Sequence, residues 1–276
     1  MNEEFFDEIF KVENNLTDLS QDCLVVEDHK REIIGFSCLL KSSKRNSWQM
    51  IFHIIPEHYG SKFSVELFES ILEIANKQNA PQIIFRLSKH IILYSPLQTK
   101  FKEMGLEPVS FGFMLRLDDF KLLPDINNPT NITFQSQKKV TDFASYVLVL
   151  NDAFRNNLEF RPSTEEEFKS SRRVIEKHYD VENWLAYDKK KLVGVCFSSI
   201  DPKTKHSGFV DVLGVFHKYH HRGIGSSLLN MGIHSLIEKG CKTIELVVEV
   251  NNEKALSLYT KFGFYEVRTV ITYAIE

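Results

Sequence analysis

Two pairs of short stretches repeat along this chain, and they constrain its fold more than any other feature. FKEMGL (101–106) aligns with YTKFGF (259–264) at an offset of 158 residues. PEHYGSKFS (56–64) aligns in the same order with HKYHHRGIG (217–225) when a three-residue gap is allowed between the pairs. Self-similarity of this kind indicates one structural unit that is used twice.

A polar segment separates the two copies. The stretch DDFKLLPDINNPTN (118–131) contains two prolines, three asparagines and three aspartates, a composition that is typical of a linker. At roughly 100–200 residues per domain, a chain of 276 residues is long enough for two domains. We therefore predict one domain over 1–125 and a second over 131–276.

The composition argues against several classes of function. A net charge of −3 and a pI near 6.4 disfavour nucleic-acid binding through bulk charge. The N-terminal MNEEFFDEIF lacks the pattern of a secretory signal, and no apolar run reaches the roughly 18 residues of a membrane span, so we expect a cytoplasmic protein with no membrane partner. The four cysteines are scattered without a CxxC pair, and we expect them to be reduced and mostly buried.

The second half alternates apolar strand and helix patterns. Helical spacing predicts helices over 138–157 and 225–238, and short β-branched runs predict strands over 209–215 and 243–250. A hairpin over 184–199 turns at the polar stretch DKKK. This order of elements predicts a mixed α/β domain with some antiparallel pairing.

The stretch YHHRGIGSSLL (219–229) joins a predicted strand to a predicted helix. The first turn of a helix presents unpaired N–H groups and partial positive charge, and anions bind there. Glycine lets the backbone approach an anion closely because no Cβ intervenes, and successive N–H groups form a concave nest. With His220, His221 and Arg222 at its mouth, this turn is predicted to hold a pyrophosphate.

Two common phosphate motifs do not match this turn. A dinucleotide-binding GxGxxG motif would need glycine where the chain has Leu228. A P-loop would need lysine after Gly225, where the chain has Ser226. The turn is therefore either a phosphate cradle of another type or a glycine turn that only caps the helix.

The wider run 209–264 resembles the GNAT superfamily of N-acetyltransferases, which bind acetyl-CoA. The family's first motif is Gln or Arg, two residues, and then Gly-x-Gly or Gly-x-Ala; here His220 precedes the glycine pair. The second motif is Asn, two residues, Ala, and then Leu-Tyr and Gly-Phe; here it reads NEKALSLYTKFGF from Asn252. The tandem layout resembles that of mycothiol synthase. The resemblance implies two tandem domains, each with a central mixed, mostly antiparallel sheet flanked by helices.

The resemblance also assigns residues to acetyl-CoA, the implied co-substrate. In the family, one strand splays from its neighbour and its backbone holds the pantetheine arm; here the Val215 amide becomes the expected oxyanion donor. Tyr259 falls where the family places the tyrosine that protonates the leaving CoA thiolate. The implied binding residues are Leu213, Gly214, Val215, His220, His221, Arg222, Gly223, Ile224, Gly225, Ser226, Asn252, Ala255 and Tyr259.

The general base and the acceptor site follow less directly. Family members often carry a carboxylate where this chain has Phe209, and Asp211 lies two residues further on, facing the same side of the strand. Asp211 is a candidate base, acting directly or through water, or else a carboxylate bonded to nearby backbone. No carboxylate or thiol completes a metal-ligand set beside the histidines, so we expect no metal. In the family the acceptor pocket often includes the loop between the first two helices of the domain. The resemblance therefore implies the acceptor residues Phe154, Glu159, Phe160 and Arg161.

The first copy lacks the features that carry this chemistry. Lys62 and Ser64 stand in place of the two nest glycines, Phe101 aligns with Tyr259, and Tyr94 aligns with Asn252. We therefore expect the N-terminal domain not to bind acetyl-CoA.

The resemblance implies an acetyl-CoA-dependent N-acetyltransferase that moves an acetyl group to a primary amine by direct attack in the C-terminal domain. The acceptor would be a small-molecule amine or a peptide N-terminus. The alternative is a non-catalytic acyl-CoA-binding sensor or scaffold, and a third interpretation is a binding protein that uses the first copy as a partner surface.

Overall fold

The computed structural model describes residues 17–41, 46–93, 95–157, 160–200, 202 and 206–276. These residues form two compact units. The larger comprises Met114–Val248 and Asn252–Val267. The smaller comprises the described residues up to Phe113, together with Glu249–Asn251 and Arg268–Glu276. Among the described residues, no helix has the length and apolarity that crossing a membrane requires.

The first half of the chain supplies five strands and four helices to the described structure. In order they are α1 (Leu19–Asp22), β1 (Cys23–Glu27), β2 (Ile33–Leu40), β3 (Trp48–Ile54), α2 (Phe63–Lys77), β4 (Ile83–Ser88), α3 (Lys89–Leu93), α4 (Leu97–Glu103) and β5 (Pro108–Leu117). After β5, a 3-10 turn at Phe120–Leu122 and irregular chain follow, as the polar composition predicted.

The second half supplies the remaining elements. They are β6 (Thr133–Gln137), α5 (Phe143–Phe154), α6 (Glu165–His178), β7 (Asp180–Asp188), β8 (Lys191–Ile200), β9 (Ser207–Val215), α7 (Ile224–Glu238), β10 (Thr243–Glu249), α8 (Glu253–Lys261) and β11 (Tyr265–Ile275). The predicted helix over 138–157 proves shorter, and β6, which was not predicted, precedes it.

Both units contain a mixed sheet, which confirms the predicted fold class. In the larger unit the strand order is β6-β7-β8-β9-β10; the first four strands are antiparallel and β10 runs parallel to β9. In the smaller unit the order is β1-β2-β3-β4-β11; β3 and β4 are parallel and the other neighbours antiparallel. Helices flank these strands, so the architecture is mixed α/β.

The repeated sequence corresponds to repeated local structure. Just after α4, the Leu106 N–H donates to the Phe101 carbonyl at 2.9 Å, and just after α8 the Phe264 N–H donates to the Tyr259 carbonyl at 3.1 Å. Both helices therefore end in the same turn. The last strand of each half belongs, at least in part, to the compact unit of the other half: the smaller unit includes β11 from Arg268 onward, and the larger includes the end of β5.

The sheet of the larger unit has two distinct faces. On one face Phe197 of β8 stacks against Tyr146 of α5, with ring centroids 5.5 Å apart, and against Phe168 of α6 at 6.1 Å. On the other face β8 packs against α7, because a Cβ on Gly232 would lie 2.8 Å from the Cys196 sulfur. We call the first the α5/α6 face and the second the α7 face.

One cysteine prediction was wrong. Cys23 and Cys38 lie opposite each other on β1 and β2 and form a disulfide, whereas Cys196 and Cys241 are free and buried. The pairing depends on the register of two antiparallel strands, and the sequence spacing did not reveal that register because β1 itself was not predicted.

Candidate active site

The turn before α7 presents an open backbone surface. His221 has φ +61° and Gly223 has φ +78°, so the chain twice enters the left-handed region just before the helix. Gly223 is the N-cap and supplies no side chain to the first-turn N–H groups. A Cβ on Gly223 would meet nothing within 4 Å, so the space beside these N–H groups is open. Backbone donors that converge at a helix N-terminus, with open space beside them, suit an anion.

His217 and His220 link this turn to α5 and β9. The Nε2 atom of His220 lies 2.9 Å from the Val215 carbonyl oxygen, and its ring stacks on His217 with centroids 4.8 Å apart. The Asp152 carboxylate in turn accepts from the His217 backbone N–H at 2.6 Å and lies 3.1 Å from His217 Nδ1. This arrangement connects the end of α5, the end of β9 and the turn.

The remaining basic residues lie at the surface of the turn. His221 and Arg222 are exposed, and the Arg222 guanidinium lies over the Tyr219 ring at 4.9 Å. The Tyr219 hydroxyl donates to Asp188 at 2.8 Å. The sequence pattern predicted one basic cluster, but in the structure His220 is directed towards β9, whereas His221 and Arg222 lie at the surface.

Strands β9 and β10 pair over only part of their length. Their parallel register runs from Thr243 opposite Ser207 to Glu245 opposite Phe209, and both strands continue for several residues beyond. Leu213, Gly214 and Val215 all lie in that continuation. A Cβ on Gly214 would lie 3.2 Å from the Ala153 Cβ atom, so a side chain there would crowd α5.

The Val215 amide points towards the gap between the two strands. The next residue, Phe216, donates its N–H to the Val193 carbonyl at 2.9 Å, on the β8 side. Successive N–H groups of an extended chain point to opposite edges, so the Val215 N–H faces the β10 side. Because the β9–β10 register ends six residues earlier, at Phe209, this donor faces the part of the strand edge where a ligand can approach.

Asp211 occupies a β-bulge. Val210 lies opposite Ser198 and Val212 lies opposite Phe197, so Asp211 is the extra residue on β9. Bulges re-aim side chains next to functional sites. The Ser199 hydroxyl donates to Asp211 Oδ1 at 3.0 Å. Since Ser199 lies two residues from Phe197, this bond places the carboxylate on the α5/α6 face, the side of the sheet that it shares with Phe209.

The environment of Asp211 shifts its proton affinity. The side chain retains contact with solvent, yet the surrounding protein removes much of its hydration, and this desolvation raises the pKa of Asp211 to about 6. The hydrogen bond from Ser199 and the positive charge of Arg172 oppose the shift. A carboxylate with this pKa can exchange a proton near neutral pH.

Ser199 and Arg172 are site residues that the sequence analysis missed. Arg172 of α6 is 3% exposed, donates to Asn183 at 2.9 Å and lies over the Phe197 ring at 4.7 Å. Its Nε atom has no hydrogen-bond partner among the described residues. The only available signals were a serine pair at the end of an apolar strand and an arginine at an inward helical position.

Helix α8 places Tyr259 and Asn252. The Asn252 side chain caps the helix by accepting from the Ala255 N–H at 3.2 Å. Tyr259 is 8% exposed and packs edge-on against Phe264, with centroids 5.8 Å apart. Burial, and then the neighbouring Cys196 thiol, raise the pKa of Tyr259 well above its ordinary value. The phenol therefore stays protonated at neutral pH.

The nominated acceptor residues lie at the loop after α5. Phe154 is the last residue of α5, Phe160 donates its N–H to the Asn157 carbonyl at 3.1 Å, and Glu159 lies outside the described residues. Arg161 donates to Glu167 Oε1 at 3.2 and 3.3 Å. Burial alone would raise the pKa of Glu167, but hydrogen bonds from Thr164 and the charge of Arg161 outweigh it and lower the pKa to about 2. Arg161 is thus tied to the start of α6.

In the part of the chain that the structure describes, no three His, Cys, Asp or Glu side chains converge as metal ligands.

The family assignment follows from comparison with known proteins. Residues 149–264 match the profile of the acetyltransferase (GNAT) family. The matched span begins within α5 and ends just after α8, so it contains the turn, the β9–β10 gap and Tyr259. Over these residues the chain resembles the acetyltransferase (GNAT) family, and we call residues 149–264 the GNAT domain.

Relatives of two kinds match the chain. The chain is 33% identical over 94 residues to "N-alpha-acetyltransferase MAK3" of Arabidopsis thaliana, which is 34% of this chain and 50% of that protein. It is 26% identical over 238 residues to "Mycothiol acetyltransferase" of Catenulispora acidiphila, which is 84% of this chain and 74% of that protein. The chain thus spans half or less of the N-alpha-acetyltransferases that it matches.

Solved structures support the tandem architecture. A GCN5-related N-acetyltransferase from Sphaerobacter thermophilus superposes with a TM-score of 0.71 at 19% identity, covering 98% of this chain and 85% of that one. A tandem GNAT protein from the clavulanic acid biosynthesis pathway superposes with a TM-score of 0.74 at 12% identity, covering 92% of this chain and 82% of that one. At these identities the likeness concerns the fold alone.

Proposed function

We propose that the GNAT domain transfers an acetyl group from acetyl-CoA to a primary amine. The observation that carries the proposal is the open backbone turn at Gly223 beside the part of β9 that lies beyond its register with β10. A diphosphate bound at the turn would lead the pantetheine arm along β9 towards the Val215 amide. The N-alpha-acetyltransferase relatives favour a peptide N-terminus or a similar primary amine as the acceptor.

The proposed reaction is direct attack. The amine nitrogen forms a bond to the thioester carbonyl carbon, and the carbonyl electron pair moves to oxygen, where the Val215 N–H stabilises it. The carbon–sulfur bond then breaks, and the CoA thiolate takes the proton of Tyr259. The proton lost by the amine passes to Asp211, directly or through water. Solvent then takes the proton from Asp211 and returns one to Tyr259, and the products are the acetylated amine and free CoA.

We also propose that the N-terminal copy does not bind acetyl-CoA. Its equivalent helix, α2, begins after Lys62, which has φ −63° rather than a left-handed value and forms an ion pair with Glu66 at 2.9 Å. The Ser64 hydroxyl is buried and donates to the Ser61 carbonyl at 3.0 Å. Phe101, which aligns with Tyr259, is 3% exposed in the core. Tyr94, which aligns with Asn252, lies outside the described residues. These features favour a structural domain with no nest for a diphosphate.

A thiol-release assay and calorimetry test these proposals together. We expect CoA release from acetyl-CoA that depends on an added primary amine, and one acetyl-CoA site per chain. Acetyl-CoA binding with no amine-dependent release from a broad amine panel would favour the non-catalytic sensor. Two equivalent acetyl-CoA sites per chain would contradict the proposal that the N-terminal copy binds no acetyl-CoA.

A further inference from the structure

Four residues of β9 and β10 form a patch on one face of the sheet beside the proposed reaction centre. Phe209 and Glu245 are direct register partners and therefore share a face. Asp211 shares the face of Phe209 through its bond to Ser199. Val247 lies two residues beyond Glu245, and side chains two apart on a strand point the same way. We call Phe209, Asp211, Glu245 and Val247 the acceptor patch.

The exposure of Val247 is unusual for this strand. Val247 is 52% exposed, whereas its neighbours Leu246 and Val248 are 1% and 6% exposed on the opposite face. A β-branched apolar side chain that is left open next to a half-buried Phe209 offers a small hydrophobic surface. Phe209 and Glu245 lie in the paired part of the strands, where neighbours are about 4.8 Å apart, and Asp211 and Val247 each lie about 7 Å further along their own strand, so the patch has about the size of a small side chain.

The charges of the patch are not equivalent. Glu245 Oε1 accepts from Arg116 Nε at 2.9 Å and from a second guanidinium nitrogen at 2.7 Å, so an arginine already neutralises this carboxylate. Asp211 instead receives the neutral Ser199 hydroxyl, while the Arg172 charge acts on it without an ion pair at contact distance. A ligand ammonium group is therefore expected to choose Asp211.

We infer that the acceptor of this domain is a primary amine with an uncharged apolar substituent, which packs on Phe209 and Val247 while the amine lies at Asp211. This inference rests on the proposed function. An acceptor with a second ammonium group would place a charge on the apolar part of the patch and lose its hydration there. An acceptor with a carboxylate would be repelled by Asp211.

Three amines of similar size test the inference: isopentylamine, putrescine and γ-aminobutyrate. Acetyl transfer by the full chain is followed as kcat/KM for each. We expect isopentylamine to be preferred by at least about tenfold, the range that one well-placed apolar group provides. Val247→Thr keeps the branched shape but adds a hydroxyl, and we expect it to lower kcat/KM for isopentylamine by about tenfold while leaving putrescine within about twofold.

The matched control is Val25→Thr, because Val25 is an exposed valine of β1 in the smaller unit, with 55% exposure. This variant should leave all three rates unchanged. Equal losses for the three amines in Val247→Thr, or a wild-type preference for putrescine, would overturn the inference alone. Failure of every amine to release CoA would overturn the proposed function as well. Thermal unfolding of Val247→Thr and of Val247→Ala shows whether a loss of kcat/KM comes from misfolding, since both variants should keep the wild-type fold.

Discussion

Alanine at each glycine of the turn separates backbone strain from loss of the anion site. Gly223 has φ +78°, and an L-residue in the left-handed region costs about 1–2 kcal/mol. Gly225 lies inside α7, where alanine is more favourable than glycine by about 0.5–1 kcal/mol. Its Cβ would lie 3.9 Å from Val215 and 4.0 Å from Leu258, which is ordinary contact. The two substitutions should therefore change stability in opposite directions.

The expected shifts can be measured by thermal unfolding and calorimetry. At about 2–4 °C per kcal/mol, Gly223→Ala should lower Tm by about 2–8 °C and Gly225→Ala should raise it by about 1–4 °C. The Cβ of Gly223→Ala would project into the open space that we assign to the diphosphate, so CoA affinity should fall at least about tenfold, or about 1.4 kcal/mol. Gly225→Ala should bind CoA within about threefold of wild type, since its Cβ faces Val215 and Leu258. Wild-type CoA affinity in a destabilised Gly223→Ala variant would refute the cradle.

Four further predictions concern Tyr259, Asp211 and the cysteines. Tyr259→Phe should lower kcat by about 10²-fold or more while acetyl-CoA affinity, measured by calorimetry, stays unchanged; an unchanged kcat would remove the phenol from the reaction. Because the pKa of Asp211 is raised to about 6, the wild-type rate should rise with pH through about 6, and Asp211→Asn should abolish that limb of the pH–rate profile. The folded state holds the Asp211 proton more tightly than the unfolded state, so this carboxyl makes stability fall as pH rises from about 4 to 6. The Tm of Asp211→Asn relative to wild type should therefore be higher at pH 7 than at pH 4. A Tm difference that changes in the opposite direction would contradict the pKa shift. Thiol titration of the denatured, unreduced protein should detect two thiols, from Cys196 and Cys241, and reduction should lower the unfolding free energy by about 3 kcal/mol for a disulfide separated by 15 residues; four reactive thiols would exclude the bond.

Much of the GNAT domain could be predicted from the sequence, because its signals are local. The glycine turn, the apolar period of α7 and the β-branched run of β10 each lie within one element, and each was placed within a few residues. The Asn252 cap and the helix end at Gly263 are likewise local. The short strands β1 and β6 carry little apolar periodicity and were missed.

Structural features that depend on contacts between distant parts of the chain could not be predicted from the sequence in this way. The bulge at Asp211 exists because β9 has one residue more than β8 over the paired stretch, and a single strand does not reveal its partner's register. The Cys23–Cys38 bond and the transfer of β11 to the smaller unit depend on contacts between residues far apart in the chain. The contact of His220 with Val215 likewise needed the three-dimensional path of the turn.

A crystal structure of the full chain with bound CoA would show whether the backbone amides at the start of α7 hold the diphosphate. We expect diphosphate oxygens within about 3.2 Å of the backbone nitrogens at and just after Gly223, with the thiol end beside Val215. CoA bound anywhere else on the chain, with this turn free of phosphate, would contradict it.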